Sequence, residues 1–161
     1  MVSSLIAPLI APLIAPESVH AHLGATRPRG ALLELTGLIV KAAPEVDPNA
    51  LVEALERRER LQSTALLDGV ALPHAALPGL ARPVLALARS PEGVPFGAPG
   101  GLDTHIFVAV VTPEGDAHEP ARLLARLALL FETHKKLKQR LLEASESERL
   151  LELLREAEEA L

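Results

Sequence analysis

His74 ends the segment Asp68-Gly69-Val70-Ala71-Leu72-Pro73-His74, in which a short apolar run, too short for a helix, leads into a proline-fixed turn at the surface. A ring held there keeps one nitrogen free. Neutral imidazole is a competent nucleophile near pH 7, and the phosphohistidine it can form is a high-energy phosphoramidate able to pass its group onward. Upstream, Arg58 offers a planar guanidinium that can hold phosphoryl oxygens through two parallel hydrogen bonds, which Lys does less well. Ser63 and Thr64 carry hydroxyls that could donate to a phosphate or equally well cap the preceding helix. His118 opens a helical pattern, where amide donors face an anion. Each has a plainer reading as well: a loop histidine, a solvated helix-face arginine and a helix cap.

The remaining composition narrows the chemistry. The chain has no Cys, so disulfides, thiol catalysis and Cys-ligated zinc are excluded, and a reducing cytosol is compatible. A net charge of −5 without a dominant basic cluster argues against nucleic acid. His20 and His22 form a His-x-His pair, but no carboxylate or third ligand is near in sequence; no metal is expected, and no cofactor. With 161 residues, 48% of them hydrophobic, the expectation is one domain with an aliphatic core.

The elements that must position these residues follow from periodicity. Leu32, Leu35, Leu38 and Ile39 recur at helical spacing over Arg29–Ala43, and Pro44 stops the pattern. Asp47 then serves as an N-cap with Pro48 at the first helical position, opening a second helix that ends near Leu61. Pro83–Ala88 and Thr104–Thr112 read as strands, the second buried on both faces and central. Ser90–Gly101, anchored by Phe96, reads as a long surface loop or weak hairpin. Pro120 fits only a first turn, so a helix begins near His118 and runs through Leu123, Leu127 and Leu130. Helical patterns over Lys135–Glu143 and Glu146–Ala160 close the chain, the last with Ser145 as N-cap and Glu148 completing a capping box. The expectation is an α/β domain: a mixed central sheet of about five strands with helices on both faces.

A tetrapeptide, Leu-Ile-Ala-Pro, occurs at Leu5–Pro8, Leu9–Pro12 and Leu13–Pro16. No basic residue precedes it, and a Pro every fourth residue removes helical hydrogen bonds, so neither a signal peptide nor a membrane span is expected. Residues 1–16 read as an extended apolar arm lying on the domain surface or on a partner subunit, ahead of a domain over 17–161.

Arg58-Glu59-Arg60-Leu61-Gln62-Ser63-Thr64 followed by Gly69-Val70-Ala71-Leu72-Pro73-His74 closely resembles the IIA domains of the fructose–mannitol class of phosphotransferase systems and their nitrogen-regulatory relatives. Phe96-Gly97, the strand Ile106–Val111 and a His before the next helix follow in the family's order. One departure is Ala75, where the family usually has Gly after the active His. The resemblance implies that His74 is the phosphoacceptor, that Arg58 stabilises phosphoryl oxygens, and that His118 sits beside His74 and orients it. It implies a cytoplasmic phosphocarrier that takes phosphate from a small histidine-phosphorylated carrier protein and gives it to a IIB component. The alternative is a regulatory protein of the same fold whose phosphorylation state controls protein partners. A chain carrying no IIB or IIC segment leans slightly to regulation, and a homodimer stays open. Donor docking is expected around Leu72, Ala75, Ala76 and Leu77, which would exclude water from the His.

Overall fold

In the computed structural model, which describes residues 8–66 and 68–161, the helical expectations are met where capping and proline agree with periodicity. α1 spans Pro28–Ala42 and buries Leu32, Leu35, Leu38 and Ile39. α2 spans Pro48–Leu61; the Asp47 carboxylate accepts from the Ala50 amide at 3.3 Å and Pro48 occupies the first turn, where its missing N–H is no loss. α3 runs from His118 to Thr133 with Pro120 in its first turn, followed by α4 (Leu137–Glu143) and α5 (Ser147–Glu159). The expected capping box of α5 is absent. Glu146, rather than Ser145, holds the N-cap position without a side-chain bond, and the Ser147 hydroxyl instead accepts from the Ala21 amide at 3.1 Å.

The strands are β1 (Ile14–His20), β2 (Val70–Ala71), β3 (His74–Leu77), β4 (Val84–Val94) and β5 (Thr104–Pro113). They form one mixed sheet in the order β1-β4-β5-β2, with β3 also on β5; β4 and β5 are antiparallel and the other pairs parallel. Side chains alternate across it as the period of two requires. Phe107, Ala109 and Val111 of β5 join the core under α1 and α2, whereas Ile106, Val108 and Val110 join the core under α3, α4 and α5. β5 is therefore the strand buried on both faces, as its continuous apolar run implied.

Three expectations are refined or corrected. Of the two readings of Ser90–Gly101, a long surface loop or a weak hairpin, the hairpin is nearer: β4 continues to Val94 and pairs antiparallel with β5, Val94 opposite Thr104. Its ladder on β5 breaks between Arg89 and Val94, and Gly93 takes φ 89° there; a Cβ would come within 2.8 Å of the His105 ring. His74 does not sit on a turn. β2 and β3 keep the same register on β5, Val70 opposite Ile106 and His74 opposite Val110, so they form one strand interrupted at Leu72-Pro73, where Pro73 has no amide to donate.

The third concerns the repeat arm. Its first copy, Leu5–Pro8, lies outside the described residues apart from Pro8. The other two do not rest on the surface, since Ile10, Ala11 and Ile14 are buried. Leu9, Ile10 and Ala11 donate their amides to the carboxylate of fully buried Glu158 at 2.8 to 3.0 Å. The third copy then enters β1, which docks on β4.

Candidate functional site

α2 and the β2–β3 strand converge at the edge of the sheet and bring Arg58 onto His74. The Leu72 carbonyl lies 2.8 Å from His74 Nδ1 and fixes the tautomer: Nδ1–H donates, and the Nε2 lone pair is left toward the pocket. Arg58 Nε–H donates to Nε2 at 3.1 Å, while Arg58 Nη1 donates to the Gln62 carbonyl at 2.7 Å. Leu72 is itself held, its amide donating to the Thr64 carbonyl at 3.1 Å, so the Ser63–Leu66 segment and the strand leading to His74 are zipped together. Burial lowers the His74 pKa from its usual 6.5; the Leu72 carbonyl opposes that shift and the Arg58 charge adds to it. The imidazole is thus neutral at physiological pH.

The pocket in front of His74 has a volume of about 620 Å³ and is open to solvent. Its walls are α2 (Ala54, Arg57, Arg58, Arg60 and Leu61), the small side chains of Ala75 and Ala76, Thr112 on β5, and Pro120 at the start of α3. Three alanines and three arginines are thus among its lining residues.

The other residues expected here are placed differently. Ser63 donates its hydroxyl to the Phe96 carbonyl at 2.7 Å and accepts from the Ala65 amide at 3.1 Å, facing a separate cavity beside Phe96 and Gly97. Thr64 is buried; its amide and hydroxyl both bond the Glu59 carboxylate, the amide at 3.0 Å. Both hydroxyls therefore act as braces in this structure. His118 is exposed at the first turn of α3, where its amide donates to Asp116 Oδ1 at 3.0 Å; its ring makes no hydrogen bond with His74, and Pro120 of the same turn reaches the pocket. Leu72 and Leu77, expected on the docking surface, are 6% and 7% exposed because they face the two cores; Leu61, 83% exposed, stands at the pocket instead.

Sequence reasoning missed the part played by Glu59. Burial raises its pKa above the usual carboxylate value of 4.5, against the hydrogen bonds from Thr64 and the Arg58 charge. It ties the last turn of α2, which carries Arg58, to the segment that aligns Leu72. Glu59 stands between Arg58 and Arg60 in sequence, and no local pattern ties it to Thr64. Among the described residues no group of His, Cys, Asp or Glu is arranged to hold a metal, and no helix is long and apolar enough to cross a membrane.

The model of the family described as phosphoenolpyruvate-dependent sugar phosphotransferase system, EIIA 2, matches residues 13–157. A fructose-specific EIIABC component of Bacillus subtilis is 28% identical over 121 residues, 75% of this chain but only 19% of that protein. A nitrogen regulatory protein of Bradyrhizobium diazoefficiens is 31% identical over 132 residues, 81% of this chain and 79% of the relative. Among solved structures, the nitrogen regulatory protein IIA-Ntr of Neisseria meningitidis superimposes with a TM-score of 0.83 at 26% identity, covering 91% of this chain and 99% of that one. With a family match that spans both cores and includes Arg58 and His74, the chain belongs to the EIIA 2 family of the phosphoenolpyruvate-dependent sugar phosphotransferase system.

Proposed function

We propose that this protein is a histidine phosphocarrier in which His74 Nε2 accepts a phosphoryl group from the phosphohistidine of a small carrier protein and passes it to a IIB component. The observation that carries this reading is the Arg58–His74 contact: Nδ1 is committed to the Leu72 carbonyl, and Nε2 bears its lone pair beside a cation at an open pocket. In the transfer, a bond forms from Nε2 to phosphorus as the donor's nitrogen–phosphorus bond breaks, and the donor imidazole recovers its lone pair. Nδ1–H stays on the Leu72 carbonyl throughout. Arg58 leaves Nε2 and takes up the phosphoryl oxygens, which needs only a side-chain rotation about its anchor on Gln62. His118, exposed in the same turn as the wall residue Pro120, is proposed to orient the phosphorylated His74; Ser63 and Thr64 hold the strand.

The donor would dock on Leu61, Ala75 and Ala76, which together with Ala54 give an apolar contact ringed by Arg57, Arg58 and Arg60. Excluding water there protects the phosphohistidine from hydrolysis. The cytosol is the compartment where such a relay runs.

A regulatory reading rests on a separate observation, the 31% identity with a nitrogen regulatory protein over most of that protein's length. The site chemistry is the same under both. What differs is the acceptor.

The test is incubation with phosphoenolpyruvate, enzyme I and the histidine-phosphorylated carrier, read by intact mass. Wild type should gain one acid-labile phosphate and His74→Ala none. A phosphate on both proteins, or on neither, overturns the proposal. Adding a fructose-class IIB component then separates the two readings, since a transport component gives up its phosphate to it and a regulatory protein retains it.

A further inference from the structure

We propose that the Thr112 hydroxyl is a further ligand for the phosphoryl group, donating to one of its oxygens from the floor of the His74 pocket. This rests on His74 being the phosphoacceptor. Thr112 is 1% exposed, and its Oγ1 is buried with no hydrogen-bond partner among the described residues. Such a hydroxyl is an unfavourable thing to keep in a folded protein unless something comes to meet it. Of the buried threonine hydroxyls in that condition, Thr36, Thr104 and Thr112, the last alone lines the pocket that contains His74 and Arg58.

Its position follows from the ladder. His74 lies opposite Val110 on β5, and Thr112 is two residues further along, opposite Ala76. Alternate residues share a face of the sheet, so Thr112 is the diagonal neighbour of His74 on that face. Ala76, Ala75 and Ala54 line the same pocket with methyl groups. Apart from His74, the polar side chain that the sheet brings to this pocket is that of Thr112. A hydroxyl proton rotates freely to suit an acceptor, so the donor can turn toward an anion without moving the backbone. Arg58 would hold the oxygens from the α2 side and Thr112 from the β5 side, sharing the charge that builds as the group is transferred.

Phosphoramidate isolates this contact from protein docking. Its phosphorus–nitrogen bond breaks as the bond to His74 Nε2 forms, and the nitrogen leaves as ammonia. Wild type, Thr112→Val, Thr112→Ser and Thr112→Ala should be treated with phosphoramidate and followed by intact mass, with His74→Ala as blank. Thr112→Val keeps the shape and loses the hydroxyl, so phosphorylation should slow by about ten- to a hundredfold, the effect of one hydrogen bond to a charged group. It should melt no lower than wild type, since the hydroxyl has no partner to lose in the free protein. The Ser and Ala variants differ by the hydroxyl alone, and Ser should outpace Ala by a similar factor even if both are less stable. Equal rates within both pairs overturn the Thr112 proposal while leaving His74 as acceptor. If wild type takes up no more phosphate than His74→Ala, the phosphoacceptor reading fails and this one falls with it.

Discussion

Arg58 Nε donates to His74 Nε2 across 3.1 Å, so the cation suited to neutralise a phosphoryl group rests on the lone pair that would attack it. The contact shields the Nε2 lone pair without consuming it. Arg58 is held at its other end by the Gln62 carbonyl, 2.7 Å from Nη1, which keeps the guanidinium near the ring when the first contact opens. A lysine cannot make both bonds at once, because its ammonium is a single point. Arg58→Lys should therefore slow phosphorylation of His74 by about ten- to a hundredfold. Stability should stay within about 1 kcal/mol of wild type, as for other half-exposed charges away from the core. Single-turnover mass spectrometry and a urea melt check the two halves.

The depressed pKa of His74 has a sign that can be worked through. Burial, with the Arg58 charge behind it, favours the neutral ring, so the folded value lies below the usual 6.5. Between those two values the unfolded chain binds more protons than the folded one. Stability is thus unaffected by this group above pH 6.5 and declines as pH falls through the window below it. Phosphoryl acceptance should persist at a pH where a free imidazole is largely protonated. NMR titration of the His74 ring should give a midpoint below 6.5, and Arg58→Gln should move it upward; a midpoint at or above 6.5 in wild type contradicts the burial argument.

Glu59 should prove to be a brace for the site. Glu59→Ala strands the buried amide and hydroxyl of Thr64, which costs about 1–3 kcal/mol, and loosens the link between α2 and the strand that carries His74. Glu59→Gln can satisfy both groups, accepting from the amide and donating to the hydroxyl, so it should sit within about 1 kcal/mol of wild type. The raised pKa of Glu59 means that its stability contribution is present below pH 4.5 and lost as pH rises through the folded value. Gln removes that titration. Denaturant melts of the three proteins between pH 4 and 8 distinguish these outcomes, in which the Ala variant falls short and the Gln variant loses the part of the acid-range pH dependence that Glu59 supplies, while the opposite trend due to His74 remains.

The sequence by itself determined the elements whose start and stop signals are local and mutually consistent. Asp47-Pro48 opens α2, Pro44 closes the pattern of α1, and the apolar run after Thr104 specifies a strand buried on both faces, because capping and burial period act within a few residues. His74 as the proposed phosphoacceptor was legible through the run from Arg58 to His74, whose resemblance to the IIA family singles it out from an ordinary loop histidine. Only the tertiary structure decided what depends on residues far apart in the chain. Glu158 draws Leu9, Ile10 and Ala11 into the core and turns the arm into the approach to β1, a partnership between opposite ends that no local pattern encodes. Leu72 and Leu77 looked like docking residues until strand parity and two facing helical layers buried them. Thr112 joins the pocket because parallel register on β5 sets it diagonally from His74, whereas Ser63 and Thr64, close to the site in sequence, spend their hydroxyls on backbone and Glu59. A side chain's neighbours across a sheet are fixed by register, and register is a property of the assembled fold.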